Sequence, residues 1–169
     1  MNEIKVTVSY EKPTTSKFDA LMAEYEAAKK YADETVAYYK PLADVAEDAK
    51  FDAVLLPGGG PGVQHLKASA DVERVVCDFN DQNKWIFAIC AAPLVLSKAG
   101  LLVDRTATCF PGCVEELVCN KFVEDRVVVD GNIVTSRGAG TAEEFAFECI
   151  AQLGGRELSE KIRKQVVAR

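Results

Sequence analysis

The sequence is poor in the features that announce several common functions. It holds one histidine, His65, in 169 residues, and none of its six cysteines forms a C-x-x-C pair. Zinc sites want paired Cys and His at short spacing, so no metal is expected. No Lys/Arg cluster is longer than a pair, and the formal net charge is −6. Duplex nucleic acid needs a basic stripe, so no nucleic-acid partner is expected. No segment approaches the ~18–20 apolar residues of a membrane span. The longest apolar run, Trp85 to Leu96, is interrupted by Pro93, and no membrane association is expected. The opening stretch "MNEIKVTVSY" has neither the basic n-region nor the apolar h-region of a secretory signal. A cytoplasmic location is therefore the expectation, and with it free thiols rather than a disulfide framework.

Nucleotide motifs are missing too. "PGGGPG", Pro57 to Gly62, does not match G-x-G-x-x-G, has no acidic ribose partner at the right distance, and lacks the Lys-Ser/Thr of a phosphate loop. No cofactor is expected. The length, with 49% apolar and 27% charged residues, fits a single domain over residues 1–169.

What is present is an alternation of strand and helix patterns. "EIKVTVSY" (Glu3 to Tyr10) and "ETVAYY" read as strands, with an amphipathic helix from Ser16 to Ala32 between them. "FDAVLLP" (Phe51 to Pro57) is continuously apolar and reads as a strand buried on both faces. The glycine string reads as a loop, followed by a helix around Asp71 to Asn83, the strand "WIFAI", and a helix from about Ala92 to Ala99. "TATCF" reads as a short strand and "GCVEELV" as a short helix. Asp130-Gly131 between two β runs predicts a hairpin, and Thr141-Ala-Glu-Glu144 has capping-box spacing for a helix to about Leu153. A last helix runs from Arg156 to Val167. The pattern is that of an α/β fold with a mainly parallel sheet, helices on both faces and a C-terminal antiparallel hairpin.

Ligands bind such sheets beyond the C-terminal ends of the strands. Two loops fall there, "PGGGPG" and "CAAP". In "AICAA", Ala88 and Ala92 flank Cys90 with the small residues that a strand-to-helix nucleophile elbow requires. Pro93 suits the first helical turn. Free N–H groups at the helix start favour a thiolate there, and the Ala91 N–H would lie beside the sulfur as an oxyanion donor. A buried core cysteine is the competing reading of the same spacing.

"FDAVLLPGGGPG", "WIFAICAAPLVLSKAGLL", "TATCFPG" and "VVVDGNIVTSRGAGTAEEFAFECIAQLGG" together resemble the ThiJ/PfpI superfamily, and most of all its Parkinson disease protein 7 and bacterial deglycase branch. The resemblance runs from about Ala43 to Lys164. It implies a flavodoxin-like sandwich, usually dimeric, with a reactive cysteine at Cys90 that oxidises readily. It also implies oxyanion contacts from the glycine loop (Gly58, Gly59) and Ala91, and an arginine, Arg137, near the mouth of the site. Its activities include glyoxalase III chemistry on methylglyoxal, deglycation, and redox-dependent sensor or chaperone roles. No histidine follows Cys90, so the Cys-His chemistry of the superfamily's proteases and amidotransferases is not expected. The position matching a histidine of animal relatives is Phe110. Cys109 is either a resolving thiol or a packed core residue, and His65 is read as solvated or packing.

The family's general acid/base is a glutamate just past its first strand. Only 56 residues precede Pro57, fewer than is usual in the family. If "EIKVTVSY" is the second strand, that glutamate is absent. If it fills the first strand's slot, Glu11 lies at the ligand face and is the candidate, ahead of Asp19 and Glu24. The expected function is cysteine-dependent chemistry on a small reactive carbonyl such as methylglyoxal, without a cofactor. The alternative is a non-enzymatic redox sensor built on the same cysteine.

Overall fold

The apolar run Trp85–Ile89 is the strand around which the rest is organised. The computed structural model describes residues 51–168 and the single helical residue Ala23. The expected strands and helix over residues 3–39, and Glu11, Asp19 and Glu24, lie outside the described residues. The chain divides into two units, Met1–Pro41 and Leu42–Arg169, and every element named below belongs to the second.

Strand β1 (Ala53–Leu56) leads through Gly58 and Gly59 into helix α1 (Gly60–Ala68), then α2 (Ala70–Asp81), strand β2 (Trp85–Ile89) and helix α3 (Pro93–Lys98). Strand β3 (Thr106–Ala107), a 3-10 turn at Pro111–Glu116 and strand β4 (Lys121–Phe122) follow. The hairpin β5 (Val127–Asp130) and β6 (Ile133–Ser136) comes next, then helices α4 (Ala142–Gly154) and α5 (Arg156–Gln165). The main sheet has the order β1-β2-β6-β5, parallel except for β5. A separate parallel pair joins β3 to β4. None of the described helices is long and apolar enough to cross a membrane.

One face of the sheet buries Leu56, Ile86, Ala88 and Ile133 against apolar residues of α1, α2 and α3. The other face packs Phe87 and Val134 against Phe145 and Cys149 of α4, with the Phe87 and Phe145 rings edge to face at 6.4 Å. Helices thus cover both faces, as the alternating pattern predicts. β1 departs from expectation: Leu55 is 53% exposed. Helix α4 packs on β2, β5 and β6, and its cover does not extend over the Leu55 face of β1.

The glycine string is also less of a loop than expected. Gly60 and Gly62 lie in the first turn of α1, which Pro61 opens and Val63 anchors in the core. Proline at the first turn loses no hydrogen bond, so only Gly58 and Gly59 remain as the turn. Ser69 then caps α2 by accepting the Val72 N–H at 3.4 Å.

The predicted capping box of α4 does not form. The Thr141 hydroxyl turns back to Ser136 Oγ at 2.6 Å and accepts the Gly138 N–H at 3.1 Å. Glu144 instead pairs with Arg126 at 2.8 Å. Its carboxyl group sits below the usual range, first through its own backbone N–H and then through Arg126.

The hairpin is present, one residue later than the Asp-Gly signal suggests. Asp130 pairs with Ile133, so Gly131 and Asn132 are the turn. Asp130 is held in the strand because its carboxylate accepts the Thr106 N–H at 2.7 Å and its carbonyl accepts from Arg105 at 2.8 Å. Arg105 also donates to Asn132 and Asn80. Gly131 has φ +60, and a Cβ there would lie 2.2 Å from Arg105 Nη1. Gly131→Ala therefore imposes left-handed strain and displaces a bonded guanidinium. It should lower stability by about 1–3 kcal/mol, read as a lower urea midpoint at an unchanged slope.

Candidate active site

β2 ends at Ile89 because the next residue leaves β geometry. Cys90 has φ +67, a left-handed backbone that costs a non-glycine residue about 1–3 kcal/mol and persists only when its surroundings hold it. Here the ends of two other segments do so. The Cys90 N–H donates to the Ser136 carbonyl at 2.8 Å, and the Cys90 carbonyl accepts the Phe110 N–H at 2.8 Å. Ala88 and Ala92 are fully buried, Ala91 is 7% exposed, and Pro93 starts α3. Cys90 thus occupies a left-handed strand-to-helix turn with small residues on both sides.

Two glycines make room for the thiol. A Cβ on Gly58 would lie 2.6 Å from Cys90 Cβ, 3.0 Å from the Ile89 carbonyl and 3.4 Å from Cys90 Sγ. A Cβ on Gly138 would lie 4.0 Å from the same sulfur. Gly59, with φ +101, turns the chain into α1. Neither the Gly59 nor the Ala91 N–H donates a backbone hydrogen bond among the described residues. Helix α3 has only six residues, too short for a strong dipole at its start.

Five of the thiols are raised, and burial is the first cause in each. It pushes Cys109 up to about 11 and Cys149 up to about 12, and raises Cys77, Cys113 and Cys119 above the ordinary value. Cys109 is fully buried and donates its S–H to the Phe110 carbonyl at 3.3 Å, the geometry of a packed core residue. The thiolate is the reactive form. Iodoacetamide at neutral pH should therefore label Cys90 first, and Cys109 and Cys149 only on unfolding, as read by peptide mapping. The same shifts carry a stability sign. The folded chain keeps two protons that the unfolded chain releases above pH 9.0. Stability from these groups is intact below that pH and falls as pH rises toward 11 and 12.

Arg137 is anchored at the same end of the sheet. Its Nη1 lies 3.5 Å from a Glu124 carboxylate oxygen and 3.2 Å from the Glu124 carbonyl, and its guanidinium lies 6.0 Å from the centre of the Phe122 ring. His65 lies exposed on α1, as read from sequence. Among the described residues, no three His, Cys, Asp or Glu side chains converge as metal ligands.

The structure brings Gly58, Gly59, Cys90 and Ala91 to one sheet edge, and Glu11 lies outside the described residues. Sequence reasoning passed over Gly138 and Ser136. The only signal was their position in "SRGAGT", at the end of a strand that runs parallel to the cysteine's own.

The chain is similar to several known proteins. The profile of the DJ-1/PfpI family matches residues 2–152. Protein DJ-1 homolog B of Arabidopsis thaliana is 41% identical over 130 residues, covering 76% of this chain and 30% of that protein. The chain thus spans under a third of that relative. The glutathione-independent glyoxalase DJ-1 of Schizosaccharomyces pombe is 31% identical over 132 residues, covering 76% of this chain and 69% of the relative. The crystal structure of Drosophila melanogaster DJ-1beta superposes with a TM-score of 0.71 at 41% identity, over 76% of this chain and 69% of that one.

Proposed function

This chain belongs to the DJ-1/PfpI family, and on that premise we propose that it converts small α-oxoaldehydes such as methylglyoxal to 2-hydroxy acids through Cys90, as a glyoxalase III or deglycase-type enzyme. The observation that carries the reading is the left-handed Cys90 elbow with Gly58 against its side chain. The name of the S. pombe relative, a glutathione-independent glyoxalase, supports the same class.

In the proposed sequence, the Cys90 thiolate adds to the aldehyde carbon. A C–S bond forms and the carbonyl pair becomes an alkoxide, stabilised by the Gly59 and Ala91 N–H groups. The hydrogen on that carbon leaves as a proton and returns at the neighbouring ketone carbon through an enediolate, giving a thioester of the 2-hydroxy acid. Water then attacks the thioester, the C–S bond breaks, and the thiolate is restored. Oxidation of one carbon balances reduction of the other, so only water is consumed. Glu11 is the proposed general acid/base for the proton shifts, and Arg137 is proposed to receive an anionic substituent. The test is enzymatic assay of D- and L-lactate after incubation of the full chain with methylglyoxal. Absence of lactate above the protein-free rate would contradict the proposal.

A second reading is favoured by the incomplete burial of Cys90 beside fully buried Cys109. Peroxide would then oxidise Cys90 to a sulfenate, releasing water, as a sensor. This reading gains support if lactate is absent and mild peroxide adds oxygen to Cys90 alone.

A further inference from the structure

Phe110 is a large apolar side chain left 47% exposed beside the elbow. Its backbone is fixed from several directions. The N–H donates to the Cys90 carbonyl at 2.8 Å, and its own carbonyl accepts the Cys113 N–H at 2.8 Å and the Cys109 S–H at 3.3 Å. Pro111 follows and restricts Phe110 to the extended region, where it sits at φ −59, ψ 138. The ring lies over two glycines: its carbons are 3.4 and 3.6 Å from the Cβ position of Gly112 and 3.5 Å from that of Gly138. The same Gly138 point is 4.0 Å from Cys90 Sγ. Ring and thiol therefore border one space, which the missing side chain of Gly138 leaves open.

A phenyl wall offers ring contacts to an apolar or aromatic group and no hydrogen bond to a hydroxyl that loses water on entering. We propose that Phe110 sets the substrate class of the Cys90 site, favouring α-oxoaldehydes with an aryl substituent over those with a methyl or hydroxymethyl group. The inference rests on the addition chemistry proposed above, with phenylglyoxal as the representative substrate.

Two measurements test it. The first is the ratio of kcat/KM for phenylglyoxal to that for methylglyoxal, in the full chain and in Phe110→Ala. The ratio should fall by about tenfold in the variant. The second needs no turnover: competitive alkylation of Cys90 by phenacyl bromide and bromoacetone, read by peptide mass. In each, the thiolate forms the C–S bond as the C–Br bond breaks and bromide leaves. The aryl preference should drop by a similar factor in Phe110→Ala, and by less in Phe110→Leu, which keeps bulk without a ring and serves if the alanine variant fails to fold. An alkylation preference that is unchanged in both variants overturns the inference. A preference that is lost on substitution, in a protein making no hydroxy acid from either aldehyde, upholds the role of Phe110 while removing the glyoxalase reading.

Discussion

Cys90→Ser is expected to lower lactate formation from methylglyoxal by about a thousandfold or more, while the protein stays folded. Serine has nearly the volume of cysteine and keeps the same backbone demands, so the hydrogen bonds from Cys90 to Ser136 and from Phe110 to Cys90 can persist. What is lost is the sulfur nucleophile, and an alcohol is a much weaker one. The cost of the left-handed conformation at residue 90 remains, because it belongs to the backbone and not to sulfur. The result to look for is an unchanged urea midpoint with no measurable turnover. A serine variant that retains full rate would move the chemistry away from the elbow altogether.

The second large effect is expected at Gly58. Its α-carbon faces Cys90, and an alanine Cβ would meet Cys90 Cβ at 2.6 Å and the Ile89 carbonyl at 3.0 Å. Neither is the free end of a flexible side chain, so the backbone must shift. Overpacking of this kind costs about 1–3 kcal/mol. Displacement of the nucleophile by about 1 Å costs about a hundredfold in rate. Gly58→Ala should therefore lose activity out of proportion to its loss of stability. Gly62→Ala is the internal control. It lies in α1 with nothing within 4 Å of its Cβ position, so alanine should raise stability by about 0.5–1 kcal/mol and leave the rate unchanged. Equal effects at the two glycines would show that the loop, and not the contact with Cys90, controls the site.

The fold was legible where periodicity and burial agree. "WIFAI" reads as a buried central strand and is one, flanked by parallel partners on both sides. The small residues around Cys90 were legible for the same reason: only small side chains fit an elbow, and the sequence shows them directly. Misreadings arose where a tertiary partner outweighed a local signal. Asp130-Gly131 is a strong hairpin motif, yet Thr106 and Arg105 hold Asp130 in the strand and pass the turn to Gly131-Asn132. Thr141 has capping-box spacing, yet its hydroxyl is taken by Ser136 and Gly138. β4 escaped notice because two residues carry no period. Gly138 and Phe110 could not be assigned to the site from spacing, since their neighbours there come from distant parts of the chain. The result is a flavodoxin-like α/β fold, recognised from the sequence and matched by the Drosophila structure.

The central claim is a covalent bond between substrate carbon and the Cys90 sulfur. The most direct measurement is acid quenching of the full chain during turnover of methylglyoxal, followed by peptide mass mapping with and without hydroxylamine. The proposed mechanism predicts an adduct of one methylglyoxal equivalent on the peptide carrying Cys90, removed by hydroxylamine as a thioester is and absent from Cys90→Ser. Lactate formed at full rate with no such adduct on Cys90, or with the same adduct in Cys90→Ser, would contradict it.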